Sequence, residues 1–342
     1  MSLNSGPSVP ASPRPTRKVP VPLLALGVAL LVAIAAITFG VLSGSTNAGP
    51  SPHHGITVVD DYGRTVTVPA PASRIVVLIA SAMDIVYSLG LRSSVVGVDC
   101  GPGNDYTADY TPGQVANWSL SGLACVSALP FSASSIQILN PQLVVAGPGI
   151  SVSDLNTLQQ SDGIPALGLN PSNLSGILTD VTLVGALTGH AVAATHLDAA
   201  LNASLAQDQN LRSLVGPPPS VLLTYYDDPT GYYTFGPGSF GESLLQAAGG
   251  ASITSNDSQA NTGEISGSYV LEANPAIIIA GVGFGISVAN YSVGPYWSEF
   301  SAVSHGQVYG FDVTLLTEPG PAMILGIPEL MALLHPGIAV GG

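Results

Sequence analysis

Residues 189–216 read GHAVAATHLDAALNASLAQDQNLRSLVG. Apolar residues recur at Val192, Leu197, Leu201, Leu205, Leu211 and Leu214, glycine stands at both ends and proline is absent, which predicts one helix. About 24 residues at 1.5 Å each is roughly 36 Å, enough to cross a whole domain. Similar phrases flank this stretch: Asn140-Pro141-Gln142-Leu143-Val144-Val145-Ala146-Gly147 before it and Asn274-Pro275-Ala276-Ile277-Ile278-Ile279-Ala280-Gly281 after it. A strand signature repeated on either side of one long helix predicts two lobes on a rigid connector.

Around each phrase the pattern is that of βαβ units. Arg74 precedes a continuous apolar run over 75–80, of the kind buried on both faces in a parallel sheet. Ser81 is the expected N-cap of a helix over 82–89 that Gly90 ends. Further strands are expected at 95–99, 143–146 and 166–169, and helices at 132–139, 153–160 and 172–187. The second half repeats the order, with strands at 221–225, 277–280 and 308–311 and helices at 239–248 and 323–334. Residues 56–68 alternate around Asp61-Tyr62-Gly63 as a small hairpin or edge pair. The expected class is α/β, with two Rossmann-like lobes (56–188 and 217–342) joined by the helix 189–216. In open parallel sheets ligands bind outside the carboxyl ends of the strands, so two facing sheets make a cleft walled by those loops.

The amino terminus is a separate entity. Residues 1–18, rich in Ser and Pro and ending in Arg14, Arg17 and Lys18, form a cytoplasmic tail. Residues 19–42 carry no charge and match a hydrocarbon core of about 30 Å, with the basic flank inside. A cleaved signal peptide is the other reading, with Asn47-Ala48 near its cleavage site; the length of the run favours a transmembrane anchor. No Cys follows closely enough for a lipid tether. Residues 43–55 form a flexible linker in which His53 and His54 are linker residues rather than ligands.

Everything beyond would lie outside the cell. Cys100 and Cys125 are the only cysteines, and an even number suits one disulfide in an oxidising compartment, with two buried thiols as the alternative. The sequons at Asn117, Asn173, Asn202, Asn256 and Asn290 permit N-glycosylation. Only Arg64, Arg74, Arg92 and Arg212 oppose all 21 acidic residues in this exterior, a formal charge of −17. Such a surface repels phosphates and argues against a nucleic-acid partner. Charged residues make up 8% of the chain against about 25% in an ordinary soluble domain, which suits an acidic medium where ionised carboxylates are lost.

From residue 56 to 336 the order and spelling of the segments resemble the cobalamin and iron-chelate family of ABC-transporter substrate-binding proteins. The pieces are Ile56-Thr57-Val58-Val59-Asp60-Asp61-Tyr62-Gly63-Arg64, Arg74-Ile75-Val76 leading to Ser81-Ala82-Met83-Asp84-Ile85, Leu89-Gly90-Leu91, the two Asn-Pro strands, Gly185-Ala186-Leu187-Thr188-Gly189, Ala247-Ala248-Gly249-Gly250 and Gly320-Pro321. The resemblance implies a metal chelate (ferric siderophore, haem or cobalamin) held between lobes of little hinge motion. It also implies delivery to a permease with its ATPase, and no covalent cofactor. Two positions depart from the pattern. Where family members often carry a permease-docking Glu, this chain has Ser134 and Ser268, so docking needs other contacts such as Glu264 and Glu272. Where many siderophore binders place an Arg, it has Glu318. Without arginine in the cleft loops an anionic catecholate complex finds no counter-charge, and a neutral or cationic chelate fits better.

The ligand-binding candidates are the cleft-loop aromatics Tyr106, Tyr110, Trp118, Tyr226, Tyr232, Tyr233, Phe235 and Phe284, whose flat faces suit a corrin, porphyrin or siderophore backbone, together with Glu318. Asp312 reads as a loop carboxylate. His190 and His196, six apart, do not share a helical face, and no metal-ligating cluster is spelled out. Enzyme readings fare poorly: Gly236-Pro237-Gly238-Ser239-Phe240-Gly241 lacks the nucleophile-elbow spacing and Ser239 reads as an N-cap, HExxH and a phosphate loop are absent, and Gly281-Val282-Gly283-Phe284-Gly285 is not a dinucleotide fingerprint. The expected function is a single-pass, cell-membrane solute-binding protein with an extracellular binding domain. The alternative is a surface glycoprotein or sensor ectodomain that keeps the fold without transport.

Overall fold

The apolar runs become the central strands of two sheets. The computed structural model describes residues 55–100, 122–256, 263–283 and 285–338. Residues 1–54 lie outside that description, and with them the expected segment 19–42. No helix among the described residues is long and apolar enough to cross a membrane.

The hairpin β1 (Ile56–Val59) and β2 (Thr65–Val68) opens the described chain. The N-terminal lobe continues with β3 (Ile75–Leu78), α1 (Ala80–Ser88), β4 (Val95–Asp99), β5 (Ala124–Val126), α2 (Ala133–Gln137), β6 (Leu143–Ala146), α3 (Val152–Asn156), β7 (Ala166–Gly168) and α4 (Leu174–Thr188). Its five strands are all parallel, in the order β5-β4-β3-β6-β7. β3 and β6 are buried at every position, as continuous apolar runs require when helices cover both faces. Ile75 and Val77 face α1 and α4; Val76 and Leu78 face the layer of α2 and α3. The connections after β3 and β6 therefore leave to opposite faces, which makes their carboxyl ends a topological switch point, where such sheets bind ligands. A disulfide joins Cys100, just past β4, to Cys125 in β5.

The connector is α5 (Ala191–Arg212), 22 residues long and about 33 Å. Its inward stripe is Ala194, Leu197, Leu201, Leu205 and Asp208. Val192 and Leu214, counted as apolar markers in the sequence, are 72% and 79% exposed and lie off that stripe.

The C-terminal lobe holds β8 (Ser220–Asp227), β9 (Tyr232–Thr234), α6 (Phe240–Ala247), β10 (Ala251–Ser252), β11 (Glu264–Ile265), α7 (Gly267–Ala273), β12 (Ile277–Val282), α8 (Ser301–Ser304), β13 (Val308–Asp312), α9 (Val313–Thr317), α10 (Pro321–Leu325) and α11 (Ile327–Leu334). Its sheet order is β11-β9-β8-β12-β13 with β10 beside β8; β8, β10, β12 and β13 are parallel, β9 is antiparallel to β8, and β11 is antiparallel to β9. The helix expected over 323–334 is two, α10 and α11, parted at Gly326.

The repeat is three-dimensional. Asn140 and Asn274 both take a left-handed conformation, at φ 48° and 44°, each ending a short helix before Pro turns the chain into a strand. Asn tolerates this region better than most residues. The lobes share a helical layer: Leu174 and Ile177 of α4 and Leu201 of α5 belong to the core of the C-terminal lobe, while Val181, Val184 and Ala194 of the same two helices belong to that of the N-terminal lobe.

Candidate functional site

β8 ends in Tyr225-Tyr226-Asp227, and a bulge between Thr224 and Tyr226 breaks its register with β9. The Thr224 hydroxyl donates to the carbonyls of Tyr226 and Tyr233 and fills the gap. A bulge re-aims side chains: here Tyr226 is 49% exposed, with its ring centroid 5.3 Å from that of Tyr233. Tyr233 in turn lies 6.4 Å from Tyr225, which meets Phe235 at 5.1 Å. The result is a continuous aromatic wall whose exposed edge is Tyr226 and Tyr233.

Beside the wall is a cavity of about 230 Å³ lined by Tyr226, Asp227, Asp228, Pro229, Ile286, Asn290, Tyr291 and Val293, at the carboxyl ends of β8 and β12. Asp227 is buried and accepts from the backbone N–H groups of Val293 and Gly294 at 3.1 and 2.7 Å, holding the far rim. Tyr291 donates to the Gly281 carbonyl at 2.7 Å; burial and the Asp227 carboxylate push its phenol well above the ordinary range, so it stays a neutral donor. Asp228 accepts from Thr230, Gly231 and the Tyr233 hydroxyl, and hydrogen bonds from Thr230 hold its carboxyl below the usual range. Two carboxylates and a phenol rim make a site for hydrogen-bond donors or cations.

The N-terminal lobe contributes its switch point. Ile79, between β3 and α1, takes φ 77°, ψ 148°, a region that is costly for any residue but glycine. Gly147, just past β6, has no room for a Cβ against the Ser81 hydroxyl. Ser81 is therefore inside α1 rather than its cap, contrary to the expectation from sequence. The cap comes from the other lobe: Glu318 Oε2 accepts the Ser81 N–H at 2.9 Å. Reciprocally, Asp84 of α1 accepts the Ala322 N–H of α10 at 2.7 Å through Oδ2. Burial pushes Glu318 up to about 7 and Asp84 up to about 6.

Of the nine ligand candidates, Tyr226 and Tyr233 stand on the wall. Tyr232 is fully buried, stacked on Trp297 and donating to the Pro295 carbonyl, and Phe235 is 8% exposed in the core; both correct the sequence expectation. In β9 side chains alternate, so Tyr232 and Thr234 turn inward and only Tyr233 is available. Glu318 serves the contact between lobes. Tyr106, Tyr110, Trp118 and Phe284 lie outside the described residues, as does Asn117. Asp312 caps α9 through the Thr314 N–H. Asp227, Asp228, Asn290 and Tyr291 were missed; an Asp pair directly after an aromatic strand end was the available signal. His190 bonds the Thr188 carbonyl, and no metal-binding group occurs among the described residues.

A pair of lobes, one on a parallel sheet and one on a mixed sheet with a parallel core, a helical connector and an aromatic site at the strand ends define a two-lobed solute-binding protein. The model of the family described as periplasmic binding protein matches residues 75–314, and the chain belongs to that family, in the cobalamin and iron-chelate group of ABC-transporter substrate-binding proteins. Over 286 residues it is 25% identical to the uncharacterized ABC transporter substrate-binding lipoprotein YvrC of Bacillus subtilis, covering 82% of this chain and 86% of that one. Over 324 residues it is 22% identical to a cobalamin-binding protein of Halobacterium salinarum, covering 90% and 84%. The periplasmic heme-binding protein RhuT of Roseiflexus sp. RS-1 in apo form shares the fold with a TM-score of 0.62 at 20% identity, covering 77% of this chain and 98% of that one.

Proposed function

We propose that this chain captures a metal chelate between its lobes outside the cell and hands it to an ABC permease, and that a cobalamin or a neutral or cationic iron chelate such as a ferric hydroxamate suits it better than haem, whose two propionates are anionic. The carrying observation is the aromatic wall of Tyr226 and Tyr233 beside Asp227 and Asp228 with no arginine near it. Arg64 pairs with Asp60, Arg74 donates to the carbonyls of Leu139 and Asn140, Arg92 acts on Tyr87, and Arg212 ends α5 beside Gly249. Residues 101–121 contain no Lys or Arg. The segment 19–42 would anchor the chain as a single pass. Asn173, Asn202 and Asn256 are exposed, as glycan acceptors must be; Asn290 is exposed too but lines the cavity, where a glycan would obstruct the ligand.

Permease docking would use the lobe tips at Ser134 and Ser268. Both are exposed, and each shares a hydroxyl contact with the Ser two residues before it, at 3.2 Å for Ser132 and 2.9 Å for Ser266. Neutral hydroxyls there also favour the second reading, an ectodomain that senses rather than transports.

The test is titration of residues 52–342 with cobalamin, haem and a ferric hydroxamate, following tryptophan fluorescence. Saturable micromolar or tighter binding of one chelate is expected. Absence of binding across the set at neutral and acidic pH overturns the capture reading.

A further inference from the structure

The two lobes exchange helix caps. Glu318, in the segment joining α9 to α10, terminates the backbone of α1; Asp84 on α1 terminates that of α10. The contact is close: a Cβ on Gly320 would lie 2.5 Å from Asp84 Oδ2. The Ser88 hydroxyl adds a 3.3 Å bond to Asp84 Oδ1. Among the described residues neither carboxyl forms a salt bridge: Arg64 pairs with Asp60, Arg74 donates to the carbonyls of Leu139 and Asn140, Arg92 acts on Tyr87, and Arg212 lies at the end of α5 beside Gly249. Around α1 and α10 pack α4, α5, α9 and α11. Their titratable groups are Asp180, His196, Asp198, Asp208, Arg212 and Glu329, with Asp312 capping α9. Asp180 faces Asp61, Asp198 accepts from Thr182, and the charge acting on Glu318 is that of Asp84.

We propose that this reciprocal capping is an acid-tightened latch, which holds the lobes together while Asp84 and Glu318 carry protons and loosens as they ionise. Separation of the lobes returns both carboxyls to water, where they titrate near 4. The docked state therefore binds more protons than the separated state between that value and about 7. Linkage then makes docking strongest on the acid side and weaker as pH rises through this window. The two groups oppose one another's ionisation, the Asp84 charge raising Glu318 further. The latch acts on the lobes whether or not a ligand is present.

The experiment is amide hydrogen exchange on residues 52–342, corrected for intrinsic rates, at about pH 5 and about pH 8. The readouts are the amides of Ser81 and Ala322, with Val144 and Ile279 in the sheet centres as references. Protection of Ser81 and Ala322 is expected to fall by about tenfold or more at the higher pH, one proton's worth per unit, while the references change less. In Asp84→Asn/Glu318→Gln, which keeps both acceptor oxygens without a titrating proton, the pH effect should vanish; Glu318→Gln alone should reduce it. Equal protection of the wild type at both pH values, an equal fall at the references, or a pH effect surviving in the double variant would each overturn the latch.

Discussion

Tyr226 and Tyr232 are spelled alike and do opposite work. Tyr226 is held outward by the bulge after Thr224, and Tyr232 is sealed under Trp297 and Phe300. Tyr226→Ala should weaken chelate binding by roughly fivefold, the scale of one aromatic contact of about 1 kcal/mol, and leave the melting temperature nearly unchanged. Tyr232→Ala should cost about 3–5 kcal/mol of stability, as large aromatic deletions in a core do. Calorimetric titration alongside denaturant melts separates the two; equal stability losses would refute the assignment. Composition could not tell these tyrosines apart, because their difference lies in strand parity and one bulge.

At the level of elements, the strands were the most legible part. The expected 143–146 is β6 to the residue, and 95–99 is β4, because an unbroken apolar run between breakers has few other fates. Ser239 caps α6 through the Glu242 N–H as its position suggested. Ser81 does not cap α1, since a carboxylate distant in sequence takes that role. The two left-handed Asn residues yield a test: Asn140→Ala should cost roughly 1 kcal/mol, the local penalty of a Cβ in that region, whereas Asn140→Gly should cost close to nothing. Urea melts of both variants check this, and an alanine variant as stable as wild type would mean that the turn relaxes.

Across the whole molecule, buried carboxyls set the response to pH. Asp180, on α4, has neither oxygen paired with a donor; burial and the adjoining Asp61 carboxylate push it up to about 9. Burial pushes Asp208, in the apolar stripe of α5, up to about 6, alongside Asp84 at about 6 and Glu318 at about 7. Unfolded carboxyls titrate near 4, so above that value the native state binds more protons than the unfolded one. Stability is therefore greatest at acid pH and falls as pH rises through these values. Thermal melts from about pH 4 to about pH 9 should show a declining midpoint, and Asp180→Asn should flatten the upper part of the decline; a midpoint that rises with pH would contradict this. The trend agrees with a chain so poor in charge being suited to acidic surroundings.

The sequence by itself determined the two sheets, the connector between them, the family and the absence of positive charge from the cleft loops, because hydrophobic period, breakers and composition act locally or in bulk. Only the tertiary structure decided that Tyr226 and Tyr233 form the wall while Tyr232 and Phe235 enter the core, that Asp227 and Asp228 join the site, and that Asp84 and Glu318 cap each other's helices. Each of these depends on a bulge that shifts a strand's parity or on which groups meet across the chain, from the 66 residues between Asp227 and Val293 to the 238 between Asp84 and Ala322. Such meetings follow from how faces pack, and no local pattern encodes them.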